Sequence, residues 1–337
     1  MIRVGVVGYG VIGRRVADAV AAQPDMSVVG IVKKNPDYKA RIAVSKGFPI
    51  YALDGESRKL FEKAAIPIAG EIRDLVKAVD IVVDASPGEA GAANQEIYRS
   101  LGRKVIYQGG EDADVADVSF VAQCNFEKAE GKNSARVVSC NTTGLCRVLN
   151  ALDTNFGVKL ARVVIVRRAT DPDEPEKGII DAVSIDPKIP SHHGPDVNTV
   201  LPNFKVISAA LKIPTTHMHV HTLIVTLRDA TVTKDKVIDV LNGTTRVITV
   251  SKGEGFKTTG QVFDYAREMG RWRSDLYEVA IWKDSVNIID GELYFYMGVG
   301  QEAIVVPENV DAIRALSGGY TRDESIRMTN KTLNILK

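Results

Sequence analysis

The hexapeptide Gly8-Tyr9-Gly10-Val11-Ile12-Gly13 follows directly on the apolar run Ile2-Arg3-Val4-Gly5-Val6-Val7 and leads into a helical pattern over residues 14–22. Glycines at this spacing, between a strand and a helix, restrict the fold more than any other stretch of the chain. Gly8 permits a tight turn, Gly10 lets the backbone approach a pyrophosphate, and Gly13 lets the helix pack closely on its sheet. The backbone N–H groups of Val11 and Ile12 then open the helix towards an anion.

The next 100 or so residues repeat the alternation. A strand is expected over 27–32, helices over 38–46 and 57–64, and a continuous apolar strand over 80–85 of the kind buried in parallel sheets. Ser86-Pro87-Gly88 closes that strand, 91–101 is helical, and a strand over 105–108 ends at Gly109-Gly110. Loops at the carboxyl edge of such a sheet bind cofactors, which makes Ser86, Pro87 and Gly110 neighbours of a nicotinamide ribose. The expectation is an α/β, Rossmann-type nucleotide-binding domain with a parallel sheet. The second strand ends in Lys33 and Lys34, where NAD-binding folds usually place an acidic residue on the ribose 2′-OH. Two cations there suit a 2′-phosphate, so NADP is the expected preference, with NAD also used.

After residue 140 the character changes. Strands are expected over 163–168, 217–227, 246–250, 278–282, 286–289 and 293–299, without helices between them, and an exposed loop rich in Asp, Pro and Glu over 170–178. Residues 190–195 read as an irregular turn, and a final helix starts at 309. Together these describe an α+β second domain with a mixed or antiparallel sheet. Length allows two domains, and no apolar run approaches the ~20 residues of a membrane helix. A net charge of +1 argues against nucleic acid as a partner. Three cysteines without zinc spacing, and an N-terminus that reads as a strand, fit a reducing cytoplasm.

The chemistry concentrates in Arg136-Val-Val-Ser-Cys140-Asn-Thr-Thr-Gly-Leu-Cys-Arg147. Cys140 stands at a strand-to-helix junction, where unpaired N–H groups and the helix dipole favour a thiolate and can hold an oxyanion. It is the candidate nucleophile. His217, His219 and His221 alternate along one expected strand and so share a face. One of them serves as general base to the thiol, and spacing alone does not say which. A metal is not expected: alternate strand residues lie ~6.6 Å apart, so two of these histidines can share one zinc but His217 and His221 are too far apart for all three to do so, and no Cys, Asp or Glu in the stretch completes a site. Arg167 and Arg168 end a strand and suit phosphate oxygens. Thr142, His193 and Gly194 are further anion-binding candidates.

These stretches resemble a known family. SCNTTGLCR, IPSHHGPDV, HMH before an apolar strand and PENVDAIRA near the end are similar to archaeal-type glyceraldehyde-3-phosphate dehydrogenase, and the likeness runs from GYGVIGRRVADAV to NKTLNILK. The resemblance implies Cys140 as nucleophile and picks His219 as base. It implies Ser139, Asn141, His193 and Gly194 as substrate contacts, and Val11, Ile12, Gly110, Arg168 and Gln301 as cofactor contacts. It implies a homotetramer using NADP and often NAD, whose last helix folds back onto the nucleotide domain. The expected domains are then 1–139 with 303–337, and 140–302. The chain departs from the family pattern at Val7, usually Asn, and at Gly300-Gln301-Glu302-Ala303, where a His usually precedes Gln-Glu-Ser. The implied reaction is phosphorylating oxidation of glyceraldehyde 3-phosphate through a cysteine thiohemiacetal and thioester. Two rivals share these residues: an aspartate-semialdehyde dehydrogenase, and a non-catalytic NADP-binding protein with Cys140 as a redox switch.

Overall fold

The computed structural model describes residues 1–88, 90–108, 110–171 and 174–336. The close of the 105–108 strand at Gly109, and Pro172 and Asp173 of the loop over 170–178, lie outside them. The chain divides into two compact units, Met1–Val138 with Val306–Leu333, and Ser139–Val305 with Asn334–Lys337. No helix among the described residues is long and apolar enough to cross a membrane.

The first unit is built on strands β1 (Ile2–Val7), β2 (Met26–Lys33), β3 (Ile50–Ala52), β4 (Gly70–Glu71), β5 (Ile81–Asp84), β6 (Lys104–Tyr107), β7 (Ser119–Phe120) and β8 (Ser134–Val137). Their order is β4-β3-β2-β1-β5-β6-β8-β7, and every pairing is parallel. Val4, Val6, Ile31, Val82, Val83 and Ile106 are fully enclosed, as a sheet covered on both faces requires. The strand order reverses between β1 and β5, the place where open α/β sheets bind ligands. The helix Val306–Ser317 returns to this unit and is tied in by Arg314, which donates to both carboxylate oxygens of Asp25 at 2.8 Å, to Gln23 Oε1 and to Thr329 Oγ1. A second terminal helix, Arg322–Thr332, was not expected from the sequence. It is polar along most of its length, so its apolar periodicity is weak.

The second unit holds β9 (Val158–Arg168), β10 (Ser184–Ile185), β11 (Val206–Ile213), β12 (His219–Leu227), β13 (Val247–Val250), β14 (Val279–Trp282), β15 (Asn287–Ile289) and β16 (Glu292–Val299). The order is β10-β11-β9-β12-β16-β14-β13, with β15 on β16. β9 and β11, and β13 and β14, run parallel; the other pairs are antiparallel, giving the expected mixed sheet. One face carries Val163, Ile165, Leu223, Phe295 and Met297, all nearly or fully buried. The helix Cys140–Phe156 belongs to this face. A Cβ at Gly144 would stand 2.8 Å from Val299 Cγ2, so the glycine, costly in a helix interior, is what allows close approach. Within the described part of the loop over 170–178, Glu176 and Lys177 are exposed as expected, whereas Thr170, Asp171, Glu174 and Gly178 are half-buried; Asp171 joins a buried arginine.

Candidate active site

In the first unit the glycine turn has the geometry its spacing implies. Gly8 takes φ +84°, a left-handed conformation, and its missing Cβ would fall 2.8 Å from the Ala85–Ser86 backbone at the end of β5. A Cβ on Gly13 would lie 1.8 Å from Gly8 O, whereas a Cβ on Gly10 would meet nothing within 4 Å. Gly10 therefore faces open space at the start of the helix Val11–Ala21, which has no side-chain cap and no acidic residue in its first turn. Uncapped N–H groups at a bare glycine suit a dinucleotide pyrophosphate, so these residues fit the cofactor. Gly110, at φ +100°, also borders open space. Gly13→Val is expected to weaken binding of reduced NADP roughly 10–100-fold, from ~1–3 kcal/mol of forced displacement. Fluorescence titration of the reduced cofactor, beside a thermal unfolding curve, checks this; undiminished affinity would contradict it.

The two lysines after β2 differ. Lys33 is held by Asp37 at 2.9 Å and is mostly buried, so its charge is already matched. Lys34 is exposed. Any 2′-phosphate contact from this pair falls chiefly to Lys34.

In the second unit, Ser139 caps the helix that begins with Cys140: its Oγ accepts from Thr142 N at 3.3 Å. Ser139 Oγ and Thr142 Oγ1 lie 2.9 Å apart, and Thr142 Oγ1 donates to Asp196 Oδ2 at 2.7 Å. Both hydroxyls are thus used to join this helix to the helix His193–Val200. That second helix starts inside the stretch 190–195 expected to be irregular. His193 and Gly194 are buried, and Gly194 N donates to Ser208 Oγ at 3.0 Å. The Gly194 amide therefore serves the fold rather than a ligand, unlike the role implied by resemblance. A Cβ there would meet Val206 O at 2.9 Å, which explains the glycine.

The junction does not by itself make a thiolate. Burial pushes the Cys140 thiol up to about 11, against the charges of Arg168 and Arg167 and the Asn141 N–H, while Glu302 adds to the rise. A helix start is worth ~0.3–1 kcal/mol, less than one pKa unit. Desolvation moves a buried group by several units. By exposure Cys140 is half-buried, and its enclosure still outweighs the helix start, so the resting group is a thiol rather than the thiolate the junction alone suggests.

His217, His219 and His221 do not share a face. Met218 sits at φ +29°, so β12 starts only at His219, and the exposed His217 packs edge-on against Phe263. His219 and His221 are 1% and 0% exposed, on the same side of β12 as the apolar face. His219 Nδ1 accepts from the backbone N–H of Arg168 at 3.0 Å. The neutral ring then carries its proton on Nε2. Burial first, then His221 and the two arginines, hold its pKa well below the ordinary range, so it stays neutral. A neutral ring with Nε2–H donates; it cannot take a proton at that atom. The resemblance implies a base here, whereas the neutral ring in this geometry presents Nε2–H.

Arg168 is saturated. Its Nε donates to Gln301 Oε1 at 2.8 Å and Nη1 to Thr216 O at 3.0 Å, while Nη2 binds Asp171 and, at 3.2 Å, Glu302. With its side chain 1% exposed, it positions its neighbours and has little left for a ligand. Gln301 is bound into the same cluster, donating to Asp171. Arg167 is the opposite case. Its buried Nε has no partner among the described residues, and its charge acts on Cys140, His192, His193 and His219. It pairs in register with Lys212 across β9 and β11, beside a cavity of about 290 Å³ also lined by Ser184 and Asp186. Asn141 Oδ1 lies 2.8 Å from His221 Nε2, and Asn141 Nδ2 lies 3.5 Å from His193 Nε2.

Sequence reasoning did not single out Asp196 or Asp171, and it named Glu302 only within the departure at Gly300-Gln301-Glu302-Ala303. His221 was one of the three histidines considered for the base, and its contact with Asn141 left no signal. No group of His, Cys, Asp and Glu among the described residues is arranged to hold a metal.

Comparison with known proteins adds the family. Residues 139–285 match the glyceraldehyde 3-phosphate dehydrogenase C-terminal domain, and residues 2–118 match the N-terminal domain of dihydrodipicolinate reductase. Glyceraldehyde-3-phosphate dehydrogenase of Pyrobaculum islandicum is 51% identical over 339 residues, covering 100% of this chain and 98% of its own. The proteins of that name from Thermococcus kodakarensis and Methanothermus fervidus are 47% and 46% identical, each covering at least 99% of both chains. The chain belongs to the glyceraldehyde-3-phosphate dehydrogenase family.

Proposed function

We propose that this chain oxidises glyceraldehyde 3-phosphate and transfers the acyl group to inorganic phosphate, yielding 1,3-bisphosphoglycerate, with NADP preferred over NAD. The observation that carries the reading is Cys140 at a helix start, on the face of the sheet that also presents His219 and Arg167, whose buried Nε has no partner among the described residues. The unit with the glycine turn is the nucleotide domain, with Gly8, Gly10, Val11, Ile12, Gly13 and Gly110 around the cofactor and Lys34 towards its 2′-phosphate. The other unit is the catalytic domain.

The Cys140 thiolate adds to the aldehyde carbon, and the carbonyl electron pair moves to oxygen. His219 Nε2–H donates to that oxygen as charge builds on it. A bound nicotinamide supplies the hydride acceptor. Return of the electron pair to carbon expels the hydride and leaves a thioester on Cys140. An oxygen of inorganic phosphate attacks the thioester carbon, and the thiolate leaves. The thiol gives its proton to solvent before it attacks, and oxidation releases no other, so the step balances without a base at His219. Arg167, with its buried unpaired Nε, takes a phosphate, and Lys212 beside it adds charge. Asn141 and His193 complete the cradle.

Because the nucleophile is a thiol raised to about 11, kcat/KM should climb by roughly tenfold per pH unit from pH 6.5 towards 9. Steady-state rates in constant-ionic-strength buffers check this. A profile flat above pH 7 would show instead that the thiol is already ionised.

Assembly into a homotetramer is supported by the other face of the second sheet, where Val164, Ile207 and Tyr296 are 41%, 39% and 49% exposed. Free cysteines at 124, 140 and 146 suit a cytoplasmic enzyme. The test is to combine protein, glyceraldehyde 3-phosphate, phosphate and either NADP or NAD, and follow the reduced-nicotinamide absorbance. Phosphate-dependent reduction, faster with NADP, is expected. Turnover of aspartate semialdehyde alone, or cofactor binding without reduction by any aldehyde, would overturn the reading. A tenfold preference for NAD would overturn the NADP assignment.

A further inference from the structure

His221 is an odd residue for its place. Its row across the sheet is Ile165, His221 and Met297, each neighbour fully buried. Its Nδ1 is buried without a partner among the described residues. A ring nitrogen left bare in apolar surroundings costs free energy that Leu or Met would not. What the ring does make is one short contact, Nε2 to Asn141 Oδ1 at 2.8 Å.

An amide oxygen can only accept, so His221 Nε2 must carry the proton. The amide is then oriented with Nδ2 towards His193 Nε2 at 3.5 Å. An amide nitrogen can only donate, so His193 Nε2 is the acceptor, and the single proton of its neutral ring sits on Nδ1. Burial keeps both rings neutral, His221 at about 3 and His193 at about 2. His193 Nδ1 is itself buried and has no partner among the described residues, in a side chain 2% exposed. The chain of bonds therefore ends in a buried N–H donor that has no partner of its own among the described residues.

We infer that His221 is a positioning residue for the reaction: through the Asn141 amide it sets the tautomer of His193, so that His193 presents Nδ1–H to an oxygen of the phosphorylated substrate. The ligand is of the class the site already takes, an oxyanion or hydroxyl on a phosphorylated three-carbon aldehyde, and this assignment of the ligand rests on the function proposed above. The tautomer does not rest on it. Asn141 follows the nucleophile directly, so the same amide also fixes the start of the nucleophile's helix against β12. His221 never touches substrate. Its influence is spent on which nitrogen of another ring holds a hydrogen.

The experiment uses the full chain labelled with [15N]histidine and long-range 1H–15N correlation spectra, with His193→Gln to assign the His193 signals. The wild type should show His193 protonated at Nδ1. His221→Gln keeps a side-chain N–H near Asn141 Oδ1 and should preserve that pattern and the kinetics. His221→Phe removes the donor, should mix or reverse the His193 tautomer, and should raise KM for glyceraldehyde 3-phosphate about tenfold, the weight of one buried hydrogen bond. Its kcat should stay within about twofold, since no bond made only in the transition state is lost. Wild-type His193 protonated at Nε2 overturns the relay outright, even should His221→Phe fail to fold. An unchanged tautomer and KM in folded His221→Phe does the same. The stated tautomer in a protein that does not oxidise glyceraldehyde 3-phosphate leaves the relay standing and removes the function.

Discussion

Cys140→Ser is expected to lose turnover by on the order of 10⁴–10⁶, the scale seen when an enzyme's nucleophile is replaced. The hydroxyl is nearly isosteric, so the Ser139 cap and the Asn141 contacts should survive and the fold with them. What is lost is ionisation. Burial already pushes the thiol up to about 11, and a hydroxyl starts far higher, so its reactive anion is vanishingly rare at neutral pH. Single-turnover absorbance with saturating aldehyde and NADP should show no burst of reduced cofactor. Cys124→Ser and Cys146→Ser should stay near wild type, since Cys146 is enclosed on the apolar side of the same helix and Cys124 lies in the other unit. Wild-type hydride transfer by Cys140→Ser would rule out a covalent route.

The second large effect concerns His219, where two roles give different results. A donor to the developing oxyanion is worth ~10²–10³ in kcat. His219→Ala should lose about that much. His219→Gln, which can place an amide N–H near the position of Nε2, should recover a large part of it. A general base would be lost equally in both variants, because an amide accepts no proton. The Arg168 N–H bond to Nδ1 favours the donor, since taking up a proton at Nδ1 would break that bond and add charge beside two arginines. Comparing kcat of the two variants, each with an unfolding curve to confirm the fold, separates the roles. Equal, severe loss in both would restore the base.

Much of the architecture was legible before any coordinates. The strand over 27–32 is β2, the strand over 80–85 contains β5, and the helix expected over 91–101 is Ala90–Ser100, each displaced by a residue or so at its ends. These are periodic signals carried by the local chain, and local periodicity survives packing. The misreadings have a common cause. Residues 190–195 looked irregular because Pro, Gly and two histidines hide the helix that Ser191 and Ser208 anchor from outside it, Ser208 through the Gly194 amide. The three histidines looked equivalent because nothing in the sequence marks Met218 as left-handed.

The sequence by itself determined the glycine turn, the succession of elements, the placing of Cys140 at a helix start and the family to which those residues belong. These depend on neighbours a few positions apart. Tertiary structure alone decided the charge and proton of each side chain. Cys140 is raised by burial, Lys33 is matched by Asp37, Arg168 is consumed by four residues of its own unit, Arg167 keeps a buried Nε without a partner among the described residues, and two histidines on one strand are given different partners. Desolvation and hydrogen bonding are set by what lies within a few ångströms in space, and residues as far apart as Asn141, His193 and His221 become neighbours only when the sheet and its helices close around them.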